Sequence, residues 1–397
     1  MSLPAIEAIE HILEEVLEWS QAQGYRGYNK HDGLNSPVLA ALCGWHKWTR
    51  LLAIQTVMRF PVNLRPLLAV PKTLTPKGLD LFAQAYLDRY RGTGEGRDLD
   101  RAVNLLGLLE QNRSAGNWSG NAWGYHYPWQ DTGFFAPAGT PNAVVTSFVC
   151  EAFLDAYSVT GERRFLDMVA GATGFLLGDL PMLVDTESEL CLGYMPLPMS
   201  MRVMDVSILA GSVISRYAAL AGDAGLRPQA RRLVNYVVQR QTGYHAWFYT
   251  DPPADSHISH DNYHTGFILD ALWRYMEASG DRQWETVYLN GLRFYADALF
   301  TAEGAPKWMY DTRYPYDIHG AAQGVLTFSR HRDSFPGLAD RILVWALNNM
   351  YRGDGQFSYQ IHRCYRKNYT LLRWCNAWMS RALASYLLYR SGAASAC

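Results

Sequence analysis

Residues 143–157 read AVVTSFVCEAFLDAY, and residues 206–220 read VSILAGSVISRYAAL. Both stretches carry apolar or small residues on nearly every helical face, so each predicts a helix that is buried on most sides. By contrast, the segment DLDRAVNLLGLLEQN (98–112) keeps a polar face and predicts a helix at the surface. The chain therefore contains two kinds of helix, which we call inner and outer.

Helices of the inner kind recur along the chain at intervals of roughly 55 to 66 residues. They begin near Lys77, Ala143, Met204, Tyr263, His319 and Trp374. Outer helices are predicted between them, at 99–112, 163–176, 227–240, 282–299 and 336–350. Segments near 4–21 and 37–58 are expected to supply the missing outer partner. An open solenoid of helix pairs is the alternative, but a closed ring gives the N-terminal helices a place.

This organisation predicts an all-α protein, an (α/α)6 toroid or six-hairpin barrel, as a single domain over residues 1–397. Short strand-like pieces recur just before the inner helices, and they predict small β-hairpins at one rim. These pieces are WGYHYPW (123–129), LCLGYMPL (190–197), AWFYT (246–250), PKWMYDT (306–312) and FSYQIH (357–362).

Composition excludes several classes of protein. The net charge of −1 gives no field that would attract nucleic acid. The start, MSLPAIEAIEHILEEVLEW, predicts an acidic amphipathic helix and lacks the basic start of a signal peptide. No stretch approaches the roughly 18 apolar residues of a membrane span. We therefore expect a cytoplasmic protein without a transmembrane segment, whose cysteines (Cys43, Cys150, Cys191, Cys364, Cys375 and Cys397) are free thiols.

All inner helices are expected to start at the same end of the ring. Free backbone N–H groups and the helix dipoles at that end favour anionic or hydroxyl-rich ligands. Aromatic rings in the adjoining loops suit the C–H faces of sugars, although any single ring could instead fill the barrel axis. The predicted sugar-binding residues of this bowl are Asp32, Trp123, Tyr125, His126, Trp129, Asp261, Trp308, Arg313, Tyr314, His319, Arg373 and Trp374.

Metal and cofactor chemistry lack their usual signals. His260 and His264 are four residues apart and follow His257, but the Glu of an HExxH motif is missing, so no metal is predicted. Motifs of the GxSxG, GxxxxGK[ST] and GxGxxG types are also absent from the sequence, and no cofactor is predicted. His260 and His264 are instead candidates for acid–base catalysis. His31 and Asp32 form another polar cluster in YNKHDGLNSP (28–37). The alternative to substrate binding there is a structural role, in which Lys30, Asn35 and Ser36 cap the helix that follows.

Three segments resemble the six-hairpin glycosidase superfamily, and within it bacterial proteins of exopolysaccharide gene clusters labelled polysaccharide biosynthesis protein VpsJ. They are DNYHTGFILDAL (261–272), NYTLLRWCNAWMSRALASYLL (368–388) and KHDGLNSP (30–37). The resemblance implies a toroid over nearly the whole chain. It also implies an enzyme that processes an oligo- or polysaccharide during exopolysaccharide biosynthesis.

Two shorter segments resemble unsaturated glucuronyl and rhamnogalacturonyl hydrolases: QDTGF (130–134) and VMDVSILAGSVISRYAAL (203–220). This resemblance implies that Asp205 is the general acid/base and that Asp131 assists and orients. Gln130 departs from the pattern, since those hydrolases commonly have His before the first Asp. There is also a physical conflict at Asp205, because a helix N-terminus lowers a carboxyl pKa whereas a general acid needs a raised one.

Hydrolysis is preferred, but two alternatives stay open. A uronate lyase or epimerase would use Tyr, His and Arg, because a cation must neutralise the acid group while Tyr or His exchanges the proton. Suitable residues are His260, His264, Arg313, Tyr314, His319, Arg363 and Arg373. A non-catalytic glycan-binding component of the synthesis machinery is the other alternative. Neither the sugar nor the oligomeric state follows from the sequence.

Overall fold

The computed structural model describes residues 3–393. Cys397 and the outermost residues of the predicted 1–397 domain lie outside this range, and the single-domain assignment stays a prediction. The α-helices in the described range are α1 (Ile6–Ala22), α2 (Pro37–Cys43), α3 (Lys47–Arg59), α4 (Pro76–Thr93), α5 (Gly96–Gln111), α6 (Ala143–Thr160), α7 (Arg163–Gly178), α8 (Met204–Ala221), α9 (Arg227–Val238), α10 (Asn262–Ser279), α11 (Glu285–Ala298), α12 (Ile318–Arg330), α13 (Leu338–Met350) and α14 (Trp378–Arg390).

Six of these helices form a closed inner ring. In the order α4, α6, α8, α10, α12 and α14, each packs against the next, and α14 packs back against α4. The outer helices α5, α7, α9, α11 and α13 each pack on the inner helix before them, while α1 packs on α14. The predicted (α/α)6 toroid is thus confirmed, and ring closure rather than an open solenoid is the observed arrangement.

The N-terminal helices pack differently from the prediction. Helix α1 alone supplies the missing outer partner. The expectation that 37–58 contributes to the ring is wrong, because this segment is two helices separated at Gly44, which pack on the 3-10 turn Asp32–Asn35. Helix α3 also contacts the Trp129–Gln130 strand. Ser36 caps α2 by accepting a hydrogen bond from the Leu39 amide at 3.0 Å, as the capping interpretation of this segment expects.

Short antiparallel strands lie in the loops between the helices. They are β1 (Trp129–Gln130), β2 (Phe135–Ala136), β3 (Met182–Asp185), β4 (Leu190–Leu192), β5 (Arg202–Val203), β6 (Thr250–Asp251), β7 (Tyr316–Asp317), β8 (Gln360–Ile361) and β9 (Arg366–Lys367). Strands β1–β2, β3–β4 and β8–β9 form local hairpins, whereas the β5–β6 and β7–β8 pairs join successive repeats. The segment 306–312 makes only isolated bridges, including one between Asp261 and Met309, so the hairpin predicted there does not form.

Helices α6 and α8 have the length and apolar composition of a membrane span, contrary to the sequence expectation that no segment comes close. In each, 78% of the 18-residue window is buried inside the protein. Burial of this kind is typical of a core helix, and both helices are members of the inner ring.

A network of ion pairs connects α14, α4, α6 and α8 near the end of the ring where the inner helices end. Arg381 of α14 pairs with Asp88 of α4, which also pairs with Arg91 at 3.1 Å. Arg91 in turn reaches Asp155 of α6 at 3.6 Å, and Asp155 pairs with Arg216 of α8 at 2.6 Å. The first of these pairs lies on the seam where α14 closes the ring on α4, and it is almost fully buried.

We predict that Asp88→Asn destabilises the protein by about 3–5 kcal/mol, because it leaves the buried Arg381 guanidinium without its countercharge. Urea unfolding followed by circular dichroism measures this change. Asp354→Asn is the matched control: it breaks an exposed pair with Arg352 and should cost less than about 1 kcal/mol. Equal effects of the two substitutions would contradict a closure held by the buried pair.

Candidate active site

The inner helices begin at one end of the ring, where side chains from their first turns and from neighbouring loops contact one another, and we call this end of the ring the bowl. Its wall consists of the half-buried residues Lys30, His31, Tyr125, Trp129, Tyr194, Tyr249, His264 and Trp308. Its floor consists of the buried residues Lys77, Asp80, Asp205, Asp261, Tyr263, His319, Arg373 and Trp374. The start of every inner helix except α6 contributes at least one residue to the wall or the floor. At the start of α6, the Asn142 side chain instead caps the helix.

Aromatic contacts make the lining continuous. On one side the Trp129 ring lies 6.2 Å from Tyr125 and 5.8 Å from Tyr194, between ring centroids. On the other side Tyr263 lies 6.3 Å from Trp308 and 5.5 Å from Trp374. Such rings present flat apolar faces with polar edges, which is the surface that a sugar ring can stack on.

Below the floor the axis is filled. Phe148, Phe267 and Trp378 pack together there, with centroid distances of 5.1 Å between the two Phe rings and 5.4 Å between Phe267 and Trp378. The cavity beside them, which also reaches Arg381, measures about 20 Å³. That volume is close to the space of a single water molecule. A saccharide therefore has no room along the axis below the floor.

Asp205, His264 and Asp261 form a cluster where the wall meets the floor, and a hydrogen bond joins His264 to Asp261. Asp261 precedes α10 but does not cap it with its side chain; its Oδ2 instead lies 2.8 Å from His264 Nδ1. Because a carboxylate only accepts, this hydrogen bond assigns the proton to Nδ1 and leaves the Nε2 lone pair free in neutral His264. Nε2 lies 4.0 Å from Asp205 Oδ2. An oriented imidazole and a second carboxyl thus face each other.

The environment of Asp205 resolves the conflict seen in the sequence. Asp205 lies in the first turn of α8, where the helix dipole favours a carboxylate. Burial nevertheless raises its pKa, and the nearby charge of Asp261 adds to that effect, while His264 and Lys77 oppose it. The net direction is upwards, towards a carboxyl that keeps its proton at higher pH. Its Oδ1 has no hydrogen-bond partner within residues 3–393.

His319 and Lys77 occupy the other side of the floor. The His319 ring stacks on Tyr263 at 4.5 Å and lies 4.3 Å from Trp378, and neither ring nitrogen has a hydrogen-bond partner in the described chain. Burial lowers the pKa of His319 well below its usual value, which keeps the imidazole neutral. Lys77 Nζ lies 3.7 Å from the centroid of Phe148, and burial lowers its pKa to about 7.

A π-helical turn, Arg373–Ala377, precedes α14 and contains the floor residues Arg373 and Trp374. Turns of this kind are often found at functional sites. The Arg373 guanidinium lies 5.1 Å from the Tyr125 ring and 5.2 Å from the Trp374 ring, and its Nε donates to Asn29 Oδ1 at 3.2 Å. Arg373 therefore presents a cation to the bowl while making ring and amide contacts.

Asp32 supports the bowl from behind rather than lining it. Its carboxylate is buried, accepts the Asn29 amide at 2.7 Å and pairs with Arg65 Nε at 2.7 Å. The same guanidinium donates to the Asn29 carbonyl at 2.6 Å. These contacts fix the 29–32 loop so that Lys30 Nζ lies 4.3 Å from the Trp374 ring. The prediction that Asp32 contacts substrate does not fit this geometry, since protein donors occupy both of its oxygens.

Several other predicted site residues lie away from the bowl. Trp123 is completely buried in the core, where its Nε1 donates to the Leu109 carbonyl at 2.8 Å. His126 is half-buried and hydrogen-bonds the backbone of Leu74. Arg313 is exposed and bonds the Tyr316 hydroxyl, whose ring also contacts Tyr314 on one side and Trp345 of α13 on the other. These contacts place Arg313 and Tyr314 on the outer side of the rim.

His260 does not share the position of His264. It is buried, its Nδ1 lies 2.7 Å from the Trp247 carbonyl, and its Nε2 lies 2.8 Å from the Tyr244 hydroxyl. Its ring also contacts Phe294 of the outer helix α11. With both nitrogens occupied and the ring turned outwards, His260 is structural, and the proposal of a catalytic role for it does not fit this placement.

Asp131 lies in the turn of the β1–β2 hairpin and not at a helix start. It is half-buried, and its Oδ1 accepts the Thr132 amide at 2.5 Å and the Thr132 hydroxyl at 3.1 Å. Burial raises the pKa of Tyr249, and Asp205, Asp261 and Asp131 all add to that shift. Asp131 and Asp205 thus both lie near Tyr249, and of the two only Asp205 is among the buried floor residues.

The structure adds floor residues that the sequence analysis did not select, chiefly Lys77, Asp80 and Tyr263. A signal was available for two of them. Lys77 and Asp80 are charged residues three apart within PKGLDLFAQAYLD (76–88), which is otherwise an almost fully buried inner helix. Charged residues are rarely buried without a partner or a function. Across residues 3–393, no group of three or more His, Cys, Asp or Glu side chains could hold a metal ion.

A closed ring of six helical hairpins with a polar, aromatic bowl at one end defines the six-hairpin glycosidase fold. No family model matches the sequence, and neither does any curated protein. Solved structures do match. Cellobiose 2-epimerase from Bacillus thermoamylovorans superposes with a TM-score of 0.64 at 11% identity, over 80% of this chain and 88% of that chain. The alignment shows a shared fold.

Two hydrolase structures have the same architecture. A glycosyl hydrolase family 88 protein from Bacteroides vulgatus has a TM-score of 0.60 at 9% identity, over 98% of this chain and 100% of that chain. An unsaturated glucuronyl hydrolase specific for heparin has a TM-score of 0.57 at 12% identity, over 80% of this chain and 87% of that chain. The neighbours of this fold are carbohydrate-processing enzymes.

Asp80 provides a pH-dependent test of the floor. Burial raises its pKa from 3.8 to about 7. A carboxyl whose pKa is raised by folding contributes stability that is present below its unfolded pKa and lost as the pH rises through the folded pKa. We expect the unfolding free energy of the wild type to fall, relative to Asp80→Asn, as the pH rises from 3.8 towards about 7.

Urea unfolding of both proteins at a series of pH values checks this difference. Asn mimics the protonated acid, so the two proteins should agree best at the acid end. The lowered pKa of Lys77, about 7, keeps its own titration at the alkaline edge of this window. A difference between the proteins that is constant, or that changes in the opposite direction, would mean that Asp80 is not held in its neutral form.

Proposed function

We propose that this protein is a carbohydrate-active enzyme that processes an oligo- or polysaccharide by glycoside hydrolase-like chemistry, with Asp205 as the general acid/base. The observation that carries the proposal is Asp205 itself. It is a buried carboxyl at the floor of an aromatic bowl, with a raised pKa and one oxygen without a partner within the described chain. These are the properties that a general acid needs.

The floor residues suggest how the chemistry is divided. A sugar ring stacks on the Trp374 and Trp308 side of the bowl, and neutral Asp205 donates its proton to the glycosidic oxygen. The bond between that oxygen and the anomeric carbon breaks, and the rest of the saccharide leaves as an alcohol. The resulting carboxylate then accepts a proton from a water molecule as that water attacks the anomeric carbon, which restores the acid. His264, held by Asp261, orients the water and stabilises the charge on Asp205. Asp131, which also lies near Tyr249, assists.

Exopolysaccharide biosynthesis is our proposal for the biological role, and the cytoplasm is our proposal for the location. The role rests on the resemblance of 261–272, 368–388 and 30–37 to VpsJ-type proteins. The five cysteines of the described range are free thiols, which suits a reducing compartment. The fold neighbours, which include an epimerase and hydrolases, support the carbohydrate substrate more than they support any one reaction.

A second candidate is proton abstraction, as in a uronate lyase or epimerase. It is favoured by the Asp261–His264 hydrogen bond, which leaves Nε2 of His264 free to act as a base. Arg373 and Lys77 border the same floor, beside the Tyr125 and Phe148 rings, and neither forms an ion pair within residues 3–393, so both are placed to neutralise a substrate carboxylate. In this reaction His264 Nε2 takes the proton beside the carboxylate, and another group returns a proton or a leaving group departs.

We predict that Asp205→Asn lowers turnover by about 10²–10⁴-fold while saccharide binding persists, because the amide keeps the shape but cannot transfer a proton. Suitable probes are cellobiose, an α-linked mannan oligosaccharide, D-mannose and an unsaturated heparin disaccharide. Chromatography of the products measures turnover, and calorimetry measures binding. His260→Gln is the control, since His260 lies outside the bowl and its change should leave turnover nearly intact.

The products separate the candidates. Cleavage of a glycosidic bond by water supports hydrolysis. Elimination of an added uronate oligosaccharide, or its conversion to an epimer carrying deuterium from heavy water, supports proton abstraction by His264. Saccharide binding without turnover in the wild type would identify a glycan-binding component. Full turnover in Asp205→Asn would rule out its role as the acid/base.

We also predict a pH profile whose descending limb belongs to Asp205. A general acid must be protonated, so kcat/KM should fall as the pH rises through the raised pKa of Asp205. Asp261→Asn removes a neighbouring negative charge that helps to raise this pKa, and the limb should therefore move to lower pH. A limb that stays in place or moves to higher pH would assign it to another group.

A further inference from the structure

Helices α2 and α3 and the loop after them carry an unusual exposed apolar surface. Its side chains are Val38, Leu42, Trp45, Trp48, Leu52, Phe60, Val62 and Leu67, which we call the rim patch. Trp45 is 73% exposed, Trp48 62% and Leu67 83%. Large apolar side chains exposed as a contiguous group are rare on soluble proteins and mark interaction surfaces.

The other residues of α2 and α3 show how little of these two helices is covered by the rest of the protein. Helix α2 buries none of its residues. Helix α3 buries only Ala53, Ile54 and Val57, two of which join Leu34 in a small cluster separate from the main core. Apolar residues therefore occupy both the protein-facing and the solvent-facing sides of α3. A helix that is apolar on both sides is stable when both sides are covered.

Charge indicates what covers the rim patch. The sequence contains no Asp or Glu between Asp32 and Asp80, although the whole chain has a net charge of −1. Over the same stretch Lys47, Arg50, Arg59 and Lys72 reach or approach the surface. None of these four cations forms an ion pair within residues 3–393; for example, Lys72 bonds the Gln23 amide oxygen at 3.0 Å. The patch is apolar and purely cationic.

We propose that the rim patch docks on the surface of an anionic lipid bilayer. Exposed Trp side chains, aliphatic side chains and flanking cations together are the features of an interfacial membrane anchor: the apolar groups enter the headgroup boundary while Lys and Arg meet anionic lipids. A second copy of the chain is a poorer partner. A two-fold dimer sets each patch against itself, and would oppose the same unpaired cations.

Docking would bring the bowl to the membrane. Arg50 Nε donates to Gln130 Oε1 at 2.8 Å, and its guanidinium lies 4.4 Å from the ring of Phe135, which is itself exposed. Gln130 and Phe135 belong to the β1–β2 hairpin. Trp129 of that hairpin packs on the small cluster formed by Leu34, Ala53 and Ile54 and also lines the bowl wall. The rim patch and the bowl thus share this hairpin, so a saccharide carried on a lipid would be presented beside the opening.

Vesicle flotation tests the proposal without any assay of turnover, so its outcome is independent of the proposed reaction. The probes are vesicles of phosphatidylcholine alone and vesicles of phosphatidylcholine with phosphatidylglycerol. We expect the wild type to float with the anionic vesicles, and added salt to weaken this binding. Leu42→Glu and Trp48→Glu should each lower the bound fraction at least about tenfold, since each removes a large apolar contact and adds a repelling charge.

Matched controls are Met182→Glu and Leu289→Glu, which change exposed apolar residues elsewhere on the protein. They should float like the wild type, and thermal unfolding verifies that all variants fold. The proposal is overturned if the wild type does not bind anionic vesicles, or if the patch variants bind as well as the controls. It is also overturned if the patch variants instead abolish a dimer seen by light scattering while vesicle binding is absent.

Discussion

Closure of the ring by the packing of α14 on α4 is the interaction on which the rest of the structure depends. Once the six inner helices close, each is covered on nearly all sides, and apolar side chains such as Phe148, Phe267 and Trp378 fill the axis between them. Polar chemistry then has room only at the two ends of the ring. At one end it forms the ion-pair network around Asp88, and at the other it forms the bowl.

Within residues 3–393, charged side chains are paired at one end of the ring and largely without hydrogen-bond partners at the other. The charges around Asp88 and Asp155 neutralise one another and hold the ring. On the bowl floor, several buried polar atoms lack a protein partner in the described range: Asp80 Oδ1 and Oδ2, Asp205 Oδ1 and both nitrogens of His319. Leaving such groups unsatisfied costs about 1–3 kcal/mol each. A hydroxyl-rich ligand in the bowl would offer partners to such groups, which supports the proposal of a saccharide there.

Sequence periodicity was enough for the architecture, because burial on all sides leaves a pattern in every inner helix. The helix predicted at 336–350 is observed as Leu338–Met350, and the start predicted near Ala143 is observed there. Side-chain direction in loops has no such pattern. His260 and His264 are four residues apart, yet His260 faces Trp247 and His264 faces the bowl. Likewise, no local signal pairs Asp32 with Arg65. Exposure of α2 and α3 was also hidden, since apolar residues predict burial.

The most direct test of the central claim is a crystal structure of the Asp205→Asn variant with a disaccharide from the probe panel bound. We predict a sugar ring against Trp374 or Trp308, with an oxygen of the scissile linkage within hydrogen-bond distance of the side chain at position 205. Binding instead in the outer groove beside Tyr244 and Arg293, with the bowl empty, would contradict the assignment of the bowl as the saccharide site.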